Sequence, residues 1–278
     1  MDYITQLPSG QKQINKSVAF CNILNKQLPH GDSIITDILT NFDKTIKAQN
    51  PKITTGALSN SHGDWYEWLL AITAWNYFIE SKNSYLALLL PNVSTFNVAE
   101  LYKKDLSDLI VDLRKKVSDN TSVQLISSNP DFLLLDTKNI ELSENDFKPI
   151  KVLTIENIQI IEKAYTKFIA KCDFNDIIGY LSVKTSLRPD RRLQIPHEGS
   201  LMKAIYIHLQ TRKWIINPKG LKYYAFATRV SKSDRKALKT VATHSITTVF
   251  NLPQAAVDEV FEVNSINQAL LAFNEILH

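Results

Sequence analysis

Segments of two kinds alternate along this chain, and their order is the feature that most constrains the fold. Some segments carry apolar residues at the spacing of one helical face, whereas others are short apolar stretches bounded by turn residues. The short stretches predict strands at residues 123–126, 132–135, 180–183, 223–230 and 238–242. Helices and strands mixed in this order predict an α/β fold with a mixed central β-sheet flanked by helices on both faces.

The helical segments are clearest in the first half of the chain. Residues 11–48 predict a helical hairpin, and Asp64 is predicted as the N-cap of a helix that ends near Ser81. One face of that helix carries a stripe that we predict to be buried: Trp65, Trp68, Ile72 and Trp75. Further helices are predicted at residues 98–117, 155–171 and 198–210, and as an acidic pair beyond residue 250.

Length and composition limit the class of protein. The chain has 278 residues, 44% of them hydrophobic and 22% charged, which fits one large domain or two small ones. We predict a single domain over residues 1–278, with an N-terminal helical region at 1–60, a core at 61–250 and acidic helices at 251–278. No apolar run of about 18 residues is present, so a membrane span is not expected.

Two further features bear on the compartment. The N-terminus lacks a basic start followed by an apolar stretch, so the protein is predicted to be cytoplasmic. Cys21 and Cys172 stand alone, without a CxxC motif or neighbouring histidines. They are predicted to be reduced and buried rather than part of a disulfide or a zinc site.

The positive charge is concentrated in one part of the chain. Residues 201–250 carry ten Lys and Arg against a single acid, Asp234, so this block is +9 while the whole chain is +4. A basic block in an otherwise acidic chain indicates a polyanion such as a nucleic acid, although such runs are often only solvated surface.

Three features of the sequence could carry chemistry on a phosphodiester. Asp131 follows Asn129-Pro130 at the start of an apolar strand, Lys184 follows the strand at 180–183, and Glu198 lies in the next helix. Two carboxylates can hold Mg²⁺, which polarises the phosphorus centre and acidifies water, and an ammonium can stabilise the developing charge. Taken singly, an Asp after Pro is usually a turn residue and such a Lys is usually solvated.

Taken together, these motifs resemble a known family. The segments SVKTSLRPDRR at 182–192 and HEGSLMK at 197–203 are similar to the PD-(D/E)XK Type II restriction endonucleases of the CCGG-cutting group. The similarity is greatest to the tetrameric enzymes that cleave purine-CCGG-pyrimidine. It extends over GDWYEWL at 63–69, SNPDF at 128–132, LQTR at 209–212 with Trp214, and TVATHS at 240–245.

The chain departs from the general signature of these nucleases at Ser182, where an acidic residue is usual. In the subgroup that it resembles, the following helix supplies the missing carboxylate, and Glu198 lies 14 residues after Lys184, as that relocation requires. The resemblance implies Asp131 and Glu198 as metal ligands and Lys184 as the catalytic lysine. It implies Glu67 as an additional acidic residue of the site.

Base recognition is predicted for Arg188, Asp190 and Arg191, which we call the recognition set. Arginines match the O6 and N7 of guanine, and a carboxylate accepts from the N4 amino groups of cytosine, so the set could recognise half of CCGG. The alternative is that these residues pair with one another or with phosphates. Arg212 and the segment near Asn60 are candidates for the outer base pair. The candidates for backbone phosphates are Arg192, Lys203 and Lys213.

The resemblance implies a Mg²⁺-dependent endonuclease that acts on double-stranded DNA in a prokaryotic cell. It implies cutting before the first C of CCGG with four-base 5′ overhangs, Type IIF behaviour as a dimer of dimers, and a protecting cytosine methyltransferase. Trp214 is predicted as an interface anchor or, equally, as a core residue. One alternative is a non-catalytic DNA-binding protein, which the presence of Asp131, Lys184 and Glu198 together disfavours. The other is a structure-specific PD-(D/E)XK repair nuclease, which would not need the recognition set.

Overall fold

The computed structural model describes residues 3–6, 12–93, 96–120, 125, 129–143, 147–246 and 253–277. Its strands are β1 Ile4–Gln6, β2 Lys12–Ile14, β3 Tyr85–Leu89, β4 Phe132–Asp136, β5 Ile177–Lys184, β6 Lys222–Ala227 and β7 Glu259–Glu262. Its α-helices are α1 Lys16–Ile23, α2 Ile35–Gln49, α3 Thr55–Ser81, α4 Lys104–Asn120, α5 Ile155–Lys163, α6 Pro189–Arg212, α7 Lys232–Leu238, α8 Thr243–Ile246 and α9 Ile266–Ile276.

A five-stranded sheet in the order β3-β4-β5-β6-β7 forms the centre of the fold. The pairs β3–β4 and β4–β5 are antiparallel, whereas β5–β6 and β6–β7 are parallel. Helices flank this sheet, so the prediction of an α/β fold with a mixed sheet is confirmed. A small antiparallel pair, β1–β2, precedes the helical hairpin of α1 and α2 and was not predicted. None of the helices in the described ranges is long and apolar enough to cross a membrane.

Helix α3 carries the tryptophan stripe into the core, as predicted. Trp65, Trp68 and Trp75 are all buried, and each indole N–H donates to an acceptor: the Lys16 carbonyl, a Glu162 carboxylate oxygen and the Lys148 carbonyl, respectively. Paired N–H groups allow these large rings to be buried without an unsatisfied donor. Because α3 packs against α1, α2, α9 and β3, it holds any polar residue on its remaining face in a fixed position.

Two helices begin earlier than predicted. Helix α3 begins at Thr55, because the Thr54 side chain caps it by accepting from the Ala57 N–H, so Asp64 lies within the helix and is not its N-cap. Its first turns are largely exposed, and their polar composition therefore resembles that of a loop. Helix α6 begins at Pro189 rather than Glu198, since proline at the first helical position is already restricted to a helical φ.

The C-terminal third differs most from the predictions. The predicted strand at 238–242 is the end of α7 followed by an isolated bridge between Val241 and Ala255. The predicted pair of acidic helices is strand β7 followed by the single helix α9. Buried Val260 packs into the core while its acidic neighbours remain outside it, so pairing with β6 overrides the helical pattern. The predicted strand at 123–126 lies outside the described residues except for residue 125.

Candidate active site

The ends of β4 and β5 bring Asp131 and Lys184 together. The antiparallel register pairs Phe132 with Leu181, which places Asp131, the residue before β4, across from Ser182. One oxygen of Asp131, Oδ2, accepts from Lys184 Nζ at 2.7 Å and from Ser182 Oγ at 3.2 Å. The Val183 backbone N–H also donates to this oxygen. The sheet therefore fixes the carboxylate and the ammonium within one hydrogen bond of each other.

Glu67 enters the same place from α3. Burial raises the pKa of Glu67 well above its ordinary value, and the negative charge of Asp131 raises it further. Lys184 acts in the opposite direction. A cation bound beside Glu67 and Asp131 would oppose this rise by stabilising the charged form of Glu67. The oxygen donors of Glu67 and Asp131 also suit Mg²⁺, which is commonly bound by one or two carboxylates with waters and a substrate phosphate.

Glu198 occupies a different position from these residues. It is only 3% exposed, and its two oxygens accept from the Tyr223 hydroxyl at 2.9 Å and from the Gln194 side-chain amide at 2.8 Å. Burial raises the pKa of Tyr223 well above its ordinary value, the charge of Glu198 adds to this, and a contact with Ser182 opposes it. Glu198 is therefore linked to Asp131 through two hydroxyl groups, those of Tyr223 and Ser182.

A cleft of about 780 Å³ joins the chemical groups to the two arginines of the recognition set. It is lined by Glu67, Asp131, Lys184, Arg188 and Arg191, together with residues of α2 and α3. Among the described residues, neither Glu198 nor Arg192 lines it. A single strand of nucleic acid lying in the cleft would therefore meet both the carboxylates and the arginines.

Helix α6 presents the recognition set at its N-terminus. Arg188 is the N-cap, and Asp190 and Arg191 lie in the first turn. The Asp190 carboxylate lies 3.4 Å from Arg188 and 3.8 Å from Arg191, so the set pairs internally. Arg188 and Asp190 are nonetheless exposed, and their remaining donor and acceptor positions are available to base edges.

Arg212 lies at the opposite end of α6 from the recognition set. The helix has 24 residues, which at 1.5 Å per residue separates its ends by about 36 Å. Arg212 pairs with Asp112 at 3.0 Å, and its neighbour Lys213 pairs with Asp105 at 2.6 Å. The structure therefore does not bring Arg212 or Lys213 together with the recognition set of the same chain.

The basic block does not form one surface, contrary to its appearance in the sequence. Lys203, predicted to contact phosphates, is only 3% exposed and pairs with Asp258 at 2.6 Å, so that prediction is wrong. Arg235 and Lys239 pair with Glu259 on β7. Much of the positive charge in this block is therefore buried or paired with acids from distant parts of the chain. Composition alone would have left that charge available to a ligand.

Sequence patterns did not assign three residues to the site: Lys16, Asp64 and Tyr223. Lys16 at the start of α1 forms an ion pair with Asp64, and both line the cleft. A lysine at the start of an amphipathic helix is too common to predict such a role. Tyr223 was predicted only as a strand residue, and its hydroxyl is brought to Glu198 by the parallel pairing of β5 and β6.

In the described part of the chain, no group of three or more His, Cys, Asp or Glu side chains is arranged to hold a metal ion. Cys21 and Cys172 are both buried and free, as predicted, and burial raises the pKa of the Cys172 thiol to about 12.

Comparisons with known proteins agree with this geometry. The family model described as Cfr10I/Bse634I restriction endonuclease matches residues 1–278. The chain is 43% identical to the Type II restriction enzyme Cfr10I of Citrobacter freundii over 279 residues, which cover 96% of this chain and 95% of that protein. The crystal structure of the Type IIF restriction endonuclease Bse634I with cognate DNA matches with a TM-score of 0.89 and 33% identity, covering 99% of this chain and 97% of that one.

A second structure of Bse634I matches with a TM-score of 0.88 and the same identity. Similarity of this extent covers the sheet, the flanking helices and the cleft alike, so it concerns the whole fold. The chain therefore belongs to the Cfr10I/Bse634I restriction endonuclease family and is a Type II site-specific deoxyribonuclease, which cleaves double-stranded DNA.

Proposed function

We propose that this enzyme cleaves purine-CCGG-pyrimidine before the first C and leaves four-base 5′ overhangs. The observation that carries the proposal is that Arg188 and Arg191 of the recognition set line the same cleft as the Asp131–Lys184 pair. Two arginines and one carboxylate provide the donors and the acceptor that the two guanines and two cytosines of a half-site require. Mapping the cut positions on a plasmid of known sequence tests it; cuts outside CCGG would refute it.

Asp131 and Glu198 are the proposed Mg²⁺ ligands, and Glu67 is the additional acidic residue. When bound, Mg²⁺ would polarise the phosphate and acidify the attacking water. Asp131 presents a carboxylate held by Lys184, Ser182 and Val183, so its position is already fixed. Tyr223 holds Glu198 in place through its hydroxyl.

Lys184 is proposed as the catalytic lysine. Its ammonium is largely buried and lies 2.7 Å from Asp131, so a phosphate oxygen beside that carboxylate would come within reach of Nζ. There it can orient the water or stabilise negative charge as it develops on the phosphate. The hydrolysis is a direct attack of water on phosphorus, without a covalent enzyme intermediate.

Exchanging the residues at positions 182 and 198 tests whether Glu198 supplies the carboxylate that Ser182 lacks. Ser182 is fully buried beside Asp131, so a glutamate there would carry a carboxylate to the same neighbourhood. Ser182→Glu with Glu198→Ser is expected to recover part of the cleavage rate lost in Glu198→Ser alone, measured in single-turnover digestion. Recovery stays partial because a displacement of about 1 Å can cost about 100-fold. No recovery at any Mg²⁺ concentration would contradict a shared position.

The chain is also proposed to fold as a single domain over residues 1–278. Its buried apolar residues form one cluster that runs from Ile14 in β2 to Leu277 beyond α9. Segments from both ends of the chain therefore share the core around the sheet. A single cooperative unfolding transition, the same by fluorescence and circular dichroism, is expected.

The proposed assembly is a dimer of dimers. A palindromic site needs two recognition sets related by a two-fold axis, and the family resemblance adds a second dimer. Trp214 is 88% exposed and Ile216 is 89% exposed, which excludes the core alternative for Trp214. Trp214 also has φ of 52°, a left-handed conformation that usually favours glycine. A large exposed ring in this conformation supports an interface anchor.

Replacing this ring should change the assembly. Wild-type protein is expected to sediment as a tetramer and to cut two-site plasmids faster than one-site plasmids, whereas Trp214→Ala becomes a folded dimer without that preference. Ile160→Ala, which removes a partly exposed apolar side chain from α5, is the matched control and keeps the tetramer. If the wild-type protein is a dimer at micromolar concentration and shows no plasmid preference, the proposed tetramer is refuted. The assignment as a nuclease is unaffected by that result.

A further inference from the structure

Arg192 directly follows the recognition set, but its side chain contacts protein on another face. Its Nε lies 2.6 Å from Asp234 Oδ1 and donates to the Leu187 carbonyl at 3.2 Å. Of the neighbouring arginines, Arg188 and Arg191 line the cleft, and Arg192 is absent from its described lining. Arg192 therefore connects the turn before α6 to another element of the protein.

That element is α7, where the Asp234 carboxylate contacts both Arg192 and Ser231. Asp234 has a side chain only 8% exposed, and its Oδ2 accepts from the Ser231 N–H at 2.9 Å and from the Ser231 hydroxyl at 2.6 Å, forming a capping box. Burial works to raise the pKa of Asp234, but the bonds from Ser231 and the charge of Arg192 outweigh it and lower the pKa. The carboxylate is thus buried in its charged form, and loss of Arg192 would leave that charge without its cation.

Helix α7 is in turn fixed to the sheet. Arg235 lies 3.3 Å from the Glu259 carboxylate of β7, and Lys239 lies 2.5 Å from the same group. The other side of the turn is also held, because Thr228 Oγ1 at the end of β6 donates to the Thr185 carbonyl at 2.8 Å. The turn that joins catalytic Lys184 to the recognition set is therefore attached to the sheet at both ends.

We infer that Arg192 and Asp234 are positioning residues for sequence choice: their ion pair sets the place of Arg188 and Arg191 in the cleft. The inference rests on the proposed role of the recognition set. Bidentate contacts to a base edge depend on direction, and a displacement of about 1 Å weakens such geometry severely. Contacts to phosphates tolerate displacement better, because they depend mainly on charge.

The test compares binding to a cognate duplex and to a duplex with one inner base pair changed, in Ca²⁺ and at several salt concentrations. Arg192→Gln and Asp234→Asn are each expected to lower the ratio of cognate to altered affinity about tenfold, which corresponds to about 1.4 kcal/mol. The double variant is expected to be no worse than either single variant, since both remove the same pair. Affinity for the altered duplex and its salt slope are expected to stay unchanged.

Two further variants separate the explanations. Ser231→Ala removes the cap of α7 but leaves the ion pair, so it is expected to keep the ratio even if it lowers thermal stability. Arg188→Ala reports on the recognition set itself. If Arg188→Ala loses discrimination but Arg192→Gln and Asp234→Asn do not, the inference is overturned and the proposed function stands. If Arg188→Ala keeps full discrimination, the proposed recognition set fails and the inference fails with it.

A contact between Arg192 and a phosphate gives a third pattern. Arg192→Gln would then weaken binding to both duplexes alike and lower the salt slope by about one unit, while Asp234→Asn would not. This pattern would also overturn the inference.

Discussion

Lys184→Ala and Asp131→Ala are each expected to lower the single-turnover rate of cleavage in Mg²⁺ by about 10³-fold or more. The first removes the ammonium that lies 2.7 Å from Asp131, and the second removes the carboxylate that organises Lys184, Ser182 and Val183. Neither residue belongs to the recognition set. Specific binding in Ca²⁺ is therefore expected to remain measurable for both variants by gel shift on the same preparations used for digestion.

A matched control comes from the surface of α4. Lys104 pairs with Asp108 at 2.9 Å, as Lys184 pairs with Asp131, but Lys104 is exposed and lies outside the cleft lining described above. Lys104→Ala is expected to cut at the wild-type rate. Robust Mg²⁺-dependent cutting by either active-site variant would refute the role proposed for the residue that it lacks.

Arg188→Ala and Asp190→Ala are expected to lose discrimination for CCGG by about 10- to 100-fold, since one good base contact is worth about 1 to 3 kcal/mol. Both side chains are exposed at the start of α6, so their loss leaves the fold intact. Asp190→Ala is expected to have an added effect, because it also releases Arg188 and Arg191 from their shared carboxylate. Competition binding with a duplex altered at one inner base pair measures the ratio.

The control for this series lies at the other end of the same helix. Lys213→Ala removes a positive charge that pairs with Asp105, far from the recognition set, and is expected to leave the ratio of cognate to altered affinity unchanged. Equal loss of affinity on cognate and random DNA for Arg188→Ala would reassign that arginine to the phosphates.

Part of the site could be predicted because its residues lie at the ends of strands or within one short segment. Asp131 immediately precedes β4 and Lys184 ends β5, and two adjacent antiparallel strands necessarily bring such ends to one edge of a sheet. The recognition set is likewise local, since three residues at the start of one helix remain together wherever that helix packs. Glu67 was assigned to the site only through the resemblance, because a carboxylate within an apolar helix needs a partner but the sequence does not show which groups it faces.

Other features could not be predicted, because partners distant in sequence decide them. The helical pattern of residues 259–262 gave way to β7 when the strand paired with β6. The basic block at 201–250 was divided by acids from elsewhere, Asp105 and Asp112 among them.

The sequence by itself determined the mixed α/β class, Asp131 and Lys184 as candidate residues, and the composition of the recognition set, because apolar periodicity and short motifs act over a few residues. Only the tertiary structure decided that Lys16 joins the cleft, that Tyr223 holds Glu198, and that Arg192 binds Asp234. The physical reason is that a buried charge or hydroxyl must find its partner wherever packing places one. That partner can lie tens of residues away along the chain.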